Sequence, residues 1–286
     1  MNQIDYSVCP RQVIAKQVID SLNEDLAIRG DVTSYLIRDK QIITAQIRTN
    51  QDMVVCGREW VNITFNLLDT AVLVEWFVQE GDSIPAGTVI CKVSGSARPI
   101  LTGERTALNF MQTLSATASN TRKYVDLVKH TQVQVMDTRK TLPGLRLAQK
   151  YAVTVGGGYN QRIGLYDGVL IKENHIMSCG GIMAALTQAN LLVPKHIPVQ
   201  IEIETFVQLT EAIAAGAKNI LLDNMTIDQI RECVNHVKGC AILEVSGGVN
   251  LGNIVEYANT GVNRISIGDL TKNIQAIDLS LRVINY

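Results

Sequence analysis

The sequence predicts an α/β protein in two parts, an N-terminal α+β sandwich followed by an incomplete β/α barrel. The first observation is rhythm: short apolar runs at 133–136, 168–171, 199–203, 219–222, 241–245 and 264–267 alternate with helix-like segments. Near-continuous apolar strands separated by helices make a parallel sheet with both faces covered, either as a closed barrel or as a doubly wound sheet. The second observation is what stands at or just past each run: Arg139 with Lys140, Lys172, Glu202 with Glu204, Asp223, Ser246-Gly247-Gly248 and Gly268. A barrel brings all its strand ends to one mouth, whereas an open sheet uses only those at its switch point, so polar groups after nearly every strand favour the barrel. Six runs rather than eight make it incomplete. The third observation is that the first hundred residues lack this rhythm.

Taken in order, Val13, Val18, Ile19, Leu22 and Leu26 have helical spacing, and the pattern breaks at Arg29-Gly30-Asp31. Strand-like runs follow at 42–48, 53–56, 72–78 and 89–93, with a helix over 58–68. The turn-rich stretch 80–87 resembles the hairpins of lipoyl-type carrier domains, but no lysine sits at its tip, so it reads as structural. From 101 to 130 one long helical pattern runs through Leu108, Met111, Leu114, Tyr124, Val125 and Val128. The expected domains are residues 1–110, with 274–286 packing back on them, and the barrel, 111–273.

Composition narrows the function. A chain of 286 residues, 47% hydrophobic, builds a full core, and its net charge of -1 argues against general nucleic-acid binding, which needs an excess of cations. The six cysteines contain no CxxC pair, so disulfides and structural zinc are not expected. There is no bilayer-spanning apolar run and no signal-peptide layout at the start, which points to a soluble, cytoplasmic protein without membrane partners. The basic residues must act locally. Residues 137–175 carry Arg139, Lys140, Arg162 and Lys172 around strand ends, an arrangement suited to a strongly anionic ligand.

Two further features have alternative readings. Ser246-Gly247-Gly248 and Gly268 follow the last two strands, where barrels bind phosphate through backbone N–H groups; tight turns that need glycine fit equally well. Glu202 and Asp223 end neighbouring strands and suit Mg²⁺ shared with ligand oxygens, or serve as partners for the lysines opposite. GxxxxGK[ST], GxSxG and HExxH are absent, and Gly156–Gln161 does not complete GxGxxG. The remaining class is a phosphosugar-binding barrel.

The runs GERTALNF, DTRKTLPGLR, KYAVTVGGGYNQRIGLYDGVLIKENHI, ILLDN, LEVSGGV and ISIGDLT, with GDVTS near the start, resemble quinolinate phosphoribosyltransferase over essentially the whole chain. The resemblance implies an α/β sandwich and barrel, working as a homodimer or an assembly of dimers. It implies conversion of quinolinate and phosphoribosyl pyrophosphate, with Mg²⁺, to nicotinate mononucleotide, CO₂ and pyrophosphate in NAD biosynthesis. It places Arg139, Arg162, Lys172 and Gln161 around quinolinate, with Arg105 entering from the neighbouring subunit. It gives Lys140, Glu202 and Asp223 to catalysis, phosphoribosyl pyrophosphate and the metal. Ser246, Gly247, Gly248 and Gly268 would hold the 5-phosphate.

The chain departs from this pattern twice. Where the family usually reads Asn-His-Arg, it has Asn160-Gln161-Arg162, and Gln161 cannot titrate, though its amide can donate to a carboxylate. Gln200 stands where the family often has Glu. The competing readings are a related molybdate-operon protein, a nicotinate phosphoribosyltransferase, and a non-enzymatic phosphosugar sensor.

Overall fold

The computed structural model describes residues 6–285. In chain order its first elements are α1 (Arg11–Leu26), β1 (Ile42–Thr49), β2 (Met53–Val54), α2 (Arg58–Leu68), β3 (Leu73–Trp76), β4 (Ser83–Ile84), β5 (Val89–Ser96) and α3 (Ala97–Val128). There follow β6 (Gln134–Met136), α4 (Arg146–Val155), β7 (Val169–Ile171), α5 (Glu173–Cys179), α6 (Ile182–Leu192), β8 (Val199–Ile203) and α7 (Phe206–Ala214). The last are β9 (Asn219–Asp223), α8 (Ile227–Val237), β10 (Ile242–Ser246), α9 (Ile254–Ala258), β11 (Arg264–Ser266), α10 (Asp269–Lys272) and β12 (Leu279–Asn285). Two compact units result. One gathers the residues up to Arg122, Leu142–Gly157 and the residues from Asn273 onward; the other contains Lys123–Thr141 and Gly158–Lys272.

In the first unit an antiparallel sheet of order β12-β1-β5-β3 is built on alternation. Ile43, Ala45, Ile47 and Thr49 of β1 point inward, as the two-residue strand period requires. Ile43, Ala45 and Ile47 pack with Ile90 and Val93 of β5 and with Leu108 and Met111 of α3. The amphipathic helix α2 serves two cores: Val61 and Phe65 join this one, while Trp60 and Ile63 join a second with α1 and α4. There Trp60 lies 5.6 Å from Tyr151, ring centre to ring centre. The buried Glu80 carboxylate accepts from the N–H groups of Gly57 (2.8 Å) and Arg58 (3.1 Å) at the start of α2, and from the Tyr151 hydroxyl (3.0 Å). Burial raises the Glu80 pKa against the pull of these donors.

In the second unit six parallel strands form one sheet of order β6-β11-β10-β9-β8-β7. Its first strand, β6, pairs with its last, β11, as in a β/α barrel, and the outer members β6 and β7 do not pair, which leaves the barrel open on one side, in agreement with the six apolar runs. Because the strands are parallel, all six connections that follow them leave at one end. Two features differ from the sequence expectation. The segments after the strands read as helices of about ten to fifteen residues, but those after β10 and β11, α9 and α10, have five and four. After β10 the missing length is spent on a loop with left-handed glycines, Gly247 (φ 97°) and Gly248 (φ 66°). The second lies after α4, where the sequence Gly156-Gly157-Gly158 reads as a turn. Instead Tyr159 runs parallel to the end of β6: its N–H donates to Val135 O at 2.8 Å, and Asp137 N–H donates to Tyr159 O at 3.0 Å. This backbone pairing brings Asn160, Gln161 and Arg162 to the strand ends. Among the described residues no helix is long and apolar enough to cross a membrane.

Candidate active site

At the end of the sheet where the strands terminate lies a cleft of about 650 Å³, lined by the second unit. Of the residues that the family resemblance assigns to the site, all but Arg105 line it: Arg139, Lys140, Gln161, Arg162, Lys172, Glu202, Asp223, Ser246, Gly247, Gly248 and Gly268; Gln200 and Glu204 do not. Each comes from a loop or strand end, because a residue at the carboxyl end of a parallel strand has nowhere else to point.

One part of the cleft is cationic. Arg139 follows β6, Arg162 follows the segment that pairs with β6, and Lys172 precedes α5. Arg162 Nη1 donates to Gly168 O at 3.2 Å, while the Nε atoms of both Arg139 and Arg162 are buried with no hydrogen-bond partner among the described residues. Burial first, and then the Arg139 charge, lower the Arg162 pKa. A partly buried guanidinium whose charge is disfavoured by a second one nearby forms, with it, a ready-made site for an anion.

The carboxylates lie beside these cations. Lys172 Nζ is 2.7 Å from Glu202 Oε2. Asp223 has a raised pKa because it is partly buried and because Glu202 is near, while Lys172 and Lys140 pull in the opposite direction. Asn224 Nδ2 donates to Asp223 Oδ2 at 2.8 Å. Lys140 is held by its backbone: its N–H donates to Thr138 Oγ1 at 3.1 Å and its carbonyl accepts from Thr271 Oγ1 at 2.7 Å. At the glycine end, a Cβ on Gly247 would collide with Asn224 Oδ1, and one on Gly268 would lie 3.0 Å from Lys140 Cδ. The turn after β10 is fixed by Asn250 and Asn253, whose Nδ2 groups donate to Gly248 O at 3.2 and 3.1 Å.

Gln161 is anchored twice. Its N–H donates to Asp137 Oδ1 at 2.9 Å, and its Nε2 donates to Glu244 Oε1 (3.0 Å) and Gln200 Oε1 (3.3 Å). The amide expected to donate to a ligand carboxylate thus already has both N–H bonds directed at protein acceptors. The sequence reading missed Thr138, Asn224, Asn250, Asp269 and Lys272, which also line the cleft. The signal for Asp269 and Lys272 was available, since both follow Gly268 at the end of the last barrel strand. Arg105 belongs to the first unit, on α3; its side chain is 67% exposed and its Nη2 is 3.8 Å from Glu104 Oε1. No cluster of three or more His, Cys, Asp or Glu suited to a metal exists among the described residues. The Glu202 and Asp223 pair nevertheless suits Mg²⁺, which binds through one or two carboxylates and completes its shell with ligand oxygens and water.

Residues 31–115 match the model of the quinolinate phosphoribosyl transferase N-terminal domain, and residues 117–282 match that of its C-terminal domain. The chain belongs to the quinolinate phosphoribosyl transferase family. Its relatives in this family include a Bacillus subtilis protein named "Probable nicotinate-nucleotide pyrophosphorylase [carboxylating]". The two are 41% identical over 254 residues, which cover 89% of this chain and 88% of the relative. The nicotinate-nucleotide pyrophosphorylase [carboxylating] of Mycobacterium leprae is 36% identical, covering 91% of this chain and 94% of its own. Among solved structures, the nicotinate-nucleotide pyrophosphorylase from Francisella tularensis superposes with a TM-score of 0.94 at 44% identity, covering 99% of this chain and 100% of its own. The quinolinate phosphoribosyl transferase fold therefore extends over both units.

Proposed function

We propose that this chain transfers the phosphoribosyl group of phosphoribosyl pyrophosphate to the ring nitrogen of quinolinate. The products are nicotinate mononucleotide, CO₂ and pyrophosphate, a step of NAD synthesis. The observation that carries the reading is one cleft with two arginines whose buried Nε atoms lack partners, a pair of carboxylates, and a left-handed glycine turn. A dicarboxylate beside a polyphosphate repels itself, and the cations Arg139, Arg162, Lys172 and Lys140 offset that repulsion. Arg139, Arg162 and Lys172 grip the quinolinate carboxylates, with Gln161 at their side. Ser246, Gly247, Gly248 and Gly268 take the 5-phosphate through backbone N–H groups, which glycine allows to approach closely.

Held this way, the ring nitrogen faces the anomeric carbon. The bond to pyrophosphate breaks as the bond to nitrogen forms, and Lys140 stabilises the negative charge developing on the leaving group. Glu202 and Asp223 would hold Mg²⁺, which would supply further neutralisation of the pyrophosphate. Once alkylated, the ring nitrogen is cationic and accepts the electron pair left when the adjacent carboxylate departs as CO₂. The proton that replaces that carboxylate comes from solvent. In this reading the chain works as a homodimer or an assembly of dimers in the cytoplasm, and the exposed Arg105 completes the neighbouring subunit's acceptor site.

The test is a product assay with phosphoribosyl pyrophosphate and Mg²⁺, offering carboxyl-labelled quinolinate or nicotinate as acceptor. Equimolar nucleotide and labelled CO₂ from quinolinate alone is the expected result. Nucleotide from nicotinate alone, or no product from either, would refute the reading.

A further inference from the structure

Behind the acceptor end of the cleft, three side chains close a triangle of hydrogen bonds. Gln161 Nε2 donates to Glu244 Oε1 (3.0 Å) and to Gln200 Oε1 (3.3 Å), and Gln200 Nε2 donates to Glu244 Oε2 (3.0 Å). Glu244 is 1% exposed, within β10, and of the three only Gln161 lines the cleft. The backbone beside it is pinned separately, since Asp137 accepts from Gln161 N (2.9 Å) and from Asn160 Nδ2 (2.6 Å). Positions 161 and 200 are also the two at which the resemblance drawn from the sequence marks a departure, and here they meet on one buried carboxylate.

Each edge of the triangle needs one donor and one acceptor. One carboxylate and two carboxamides satisfy all three edges. Three carboxamides cannot: Gln161 uses a single atom for both of its edges, so any choice of amide orientations leaves one edge donor to donor or acceptor to acceptor. Two carboxylates at 200 and 244 also fail, because their edge sets oxygen against oxygen. Exchanging the two residues, with Glu at 200 and Gln at 244, restores every edge. The buried setting makes an unmet edge costly.

We propose that Glu244 is a positioning residue for the acceptor, holding the Gln161 carboxamide in one orientation at the cleft. Positions 161, 200 and 244 then act as one unit that requires one carboxylate and two carboxamides. This rests on the reading of the cleft as a quinolinate site. The test compares Glu244→Gln, Gln200→Glu and the double exchange Gln200→Glu/Glu244→Gln in the full chain, by steady-state kinetics for each substrate and by thermal melting. Each single variant is expected to raise the KM for quinolinate roughly tenfold, the worth of one buried hydrogen bond. The KM for phosphoribosyl pyrophosphate stays within about twofold, as for an independent site. The exchange returns the quinolinate KM to near the wild-type value. Should a single variant not fold, a folded exchange with wild-type kinetics still supports the unit. An exchange no better than the worse single variant overturns it, as do KM values for both substrates that move together with the melting temperature. An inactive wild type is a different result, which defeats the functional reading; an active wild type without this pattern defeats the inference alone.

Discussion

Replacing Asp223 with Asn should make the ligand-free protein more stable at neutral pH while removing its activity. Asp223 titrates near 3.9 in the unfolded chain. In the folded protein, burial and then Glu202 raise that value. A raised carboxylate pKa means that the folded state holds the proton more tightly than the unfolded state. Stability is therefore lost as pH rises from the unfolded value through the folded one, and the full penalty applies above the latter. Asn carries no charge and escapes the penalty. It also keeps the side chain's size, and its oxygen can still accept from Asn224 Nδ2. The gain at pH 7, in chelator, should be about 0.5 kcal/mol, because the group is only partly buried and solvent screens its charge. For a chain of this length that is about 1–2 °C in melting temperature. The loss of turnover should be about a hundredfold or more, as for other preorganised groups aimed at developing charge. The assay is thermal melting of both proteins from pH 3.5 to 8, with product formation at pH 7.5. A variant that melts lower at pH 7, or whose gain is the same at pH 3.5 as at pH 7, would refute the argument.

Three further outcomes can be checked. Arg162→Lys keeps the charge but loses the planar fork, so the KM for quinolinate should rise about tenfold or more while urea unfolding changes little. Gly248→Ala meets no atom within 4 Å and should cost only its left-handed backbone, about 1–2 kcal/mol, whereas Gly247→Ala adds the collision with Asn224 and should cost more and raise the KM for phosphoribosyl pyrophosphate. Trp60→Ala empties the core shared by α1, α2 and α4 and removes the bond from Nε1 to Gln17 Oε1, so denaturant titration should show a loss of about 3–5 kcal/mol.

The barrel strands could be read directly because a strand covered on both faces is an uninterrupted apolar run, and those at 199–203 and 219–222 fall on β8 and β9 almost to the residue. The positions just past those runs could be read for a geometric reason: parallel strands discharge at one end. Long-range side-chain pairing was hidden. Glu244 sits inside the apolar run Ile242–Ser246, and its partners lie 83 and 44 residues away, so no local spacing links it to Gln161 or Gln200. Tyr159 was missed for a related reason. It pairs with β6 through backbone groups alone, and a bridge made by the main chain leaves no mark on the side-chain pattern. The shortness of α9 escaped because a run of Asn and Gly after β10 can cap a helix or replace it; here it builds a turn.

The pairing of β12 with β1, from Thr44↔Asn285 to Thr49↔Leu279, joins strands that leave the ribosome far apart in time. By the time residue 279 is made, every strand of the parallel sheet has already been synthesised. Until then β1 has a partner on one side only, β5, and its other edge offers a row of unsatisfied backbone groups to any passing strand. The first unit is thus the earlier to begin and the later to finish. Its final step is the addition of a single strand across a very long sequence separation, which makes it slow and dependent on an unspoiled edge. A nascent chain paused before Leu279 is a template for aggregation, and a free peptide with the sequence of β12 would act as a cap on it.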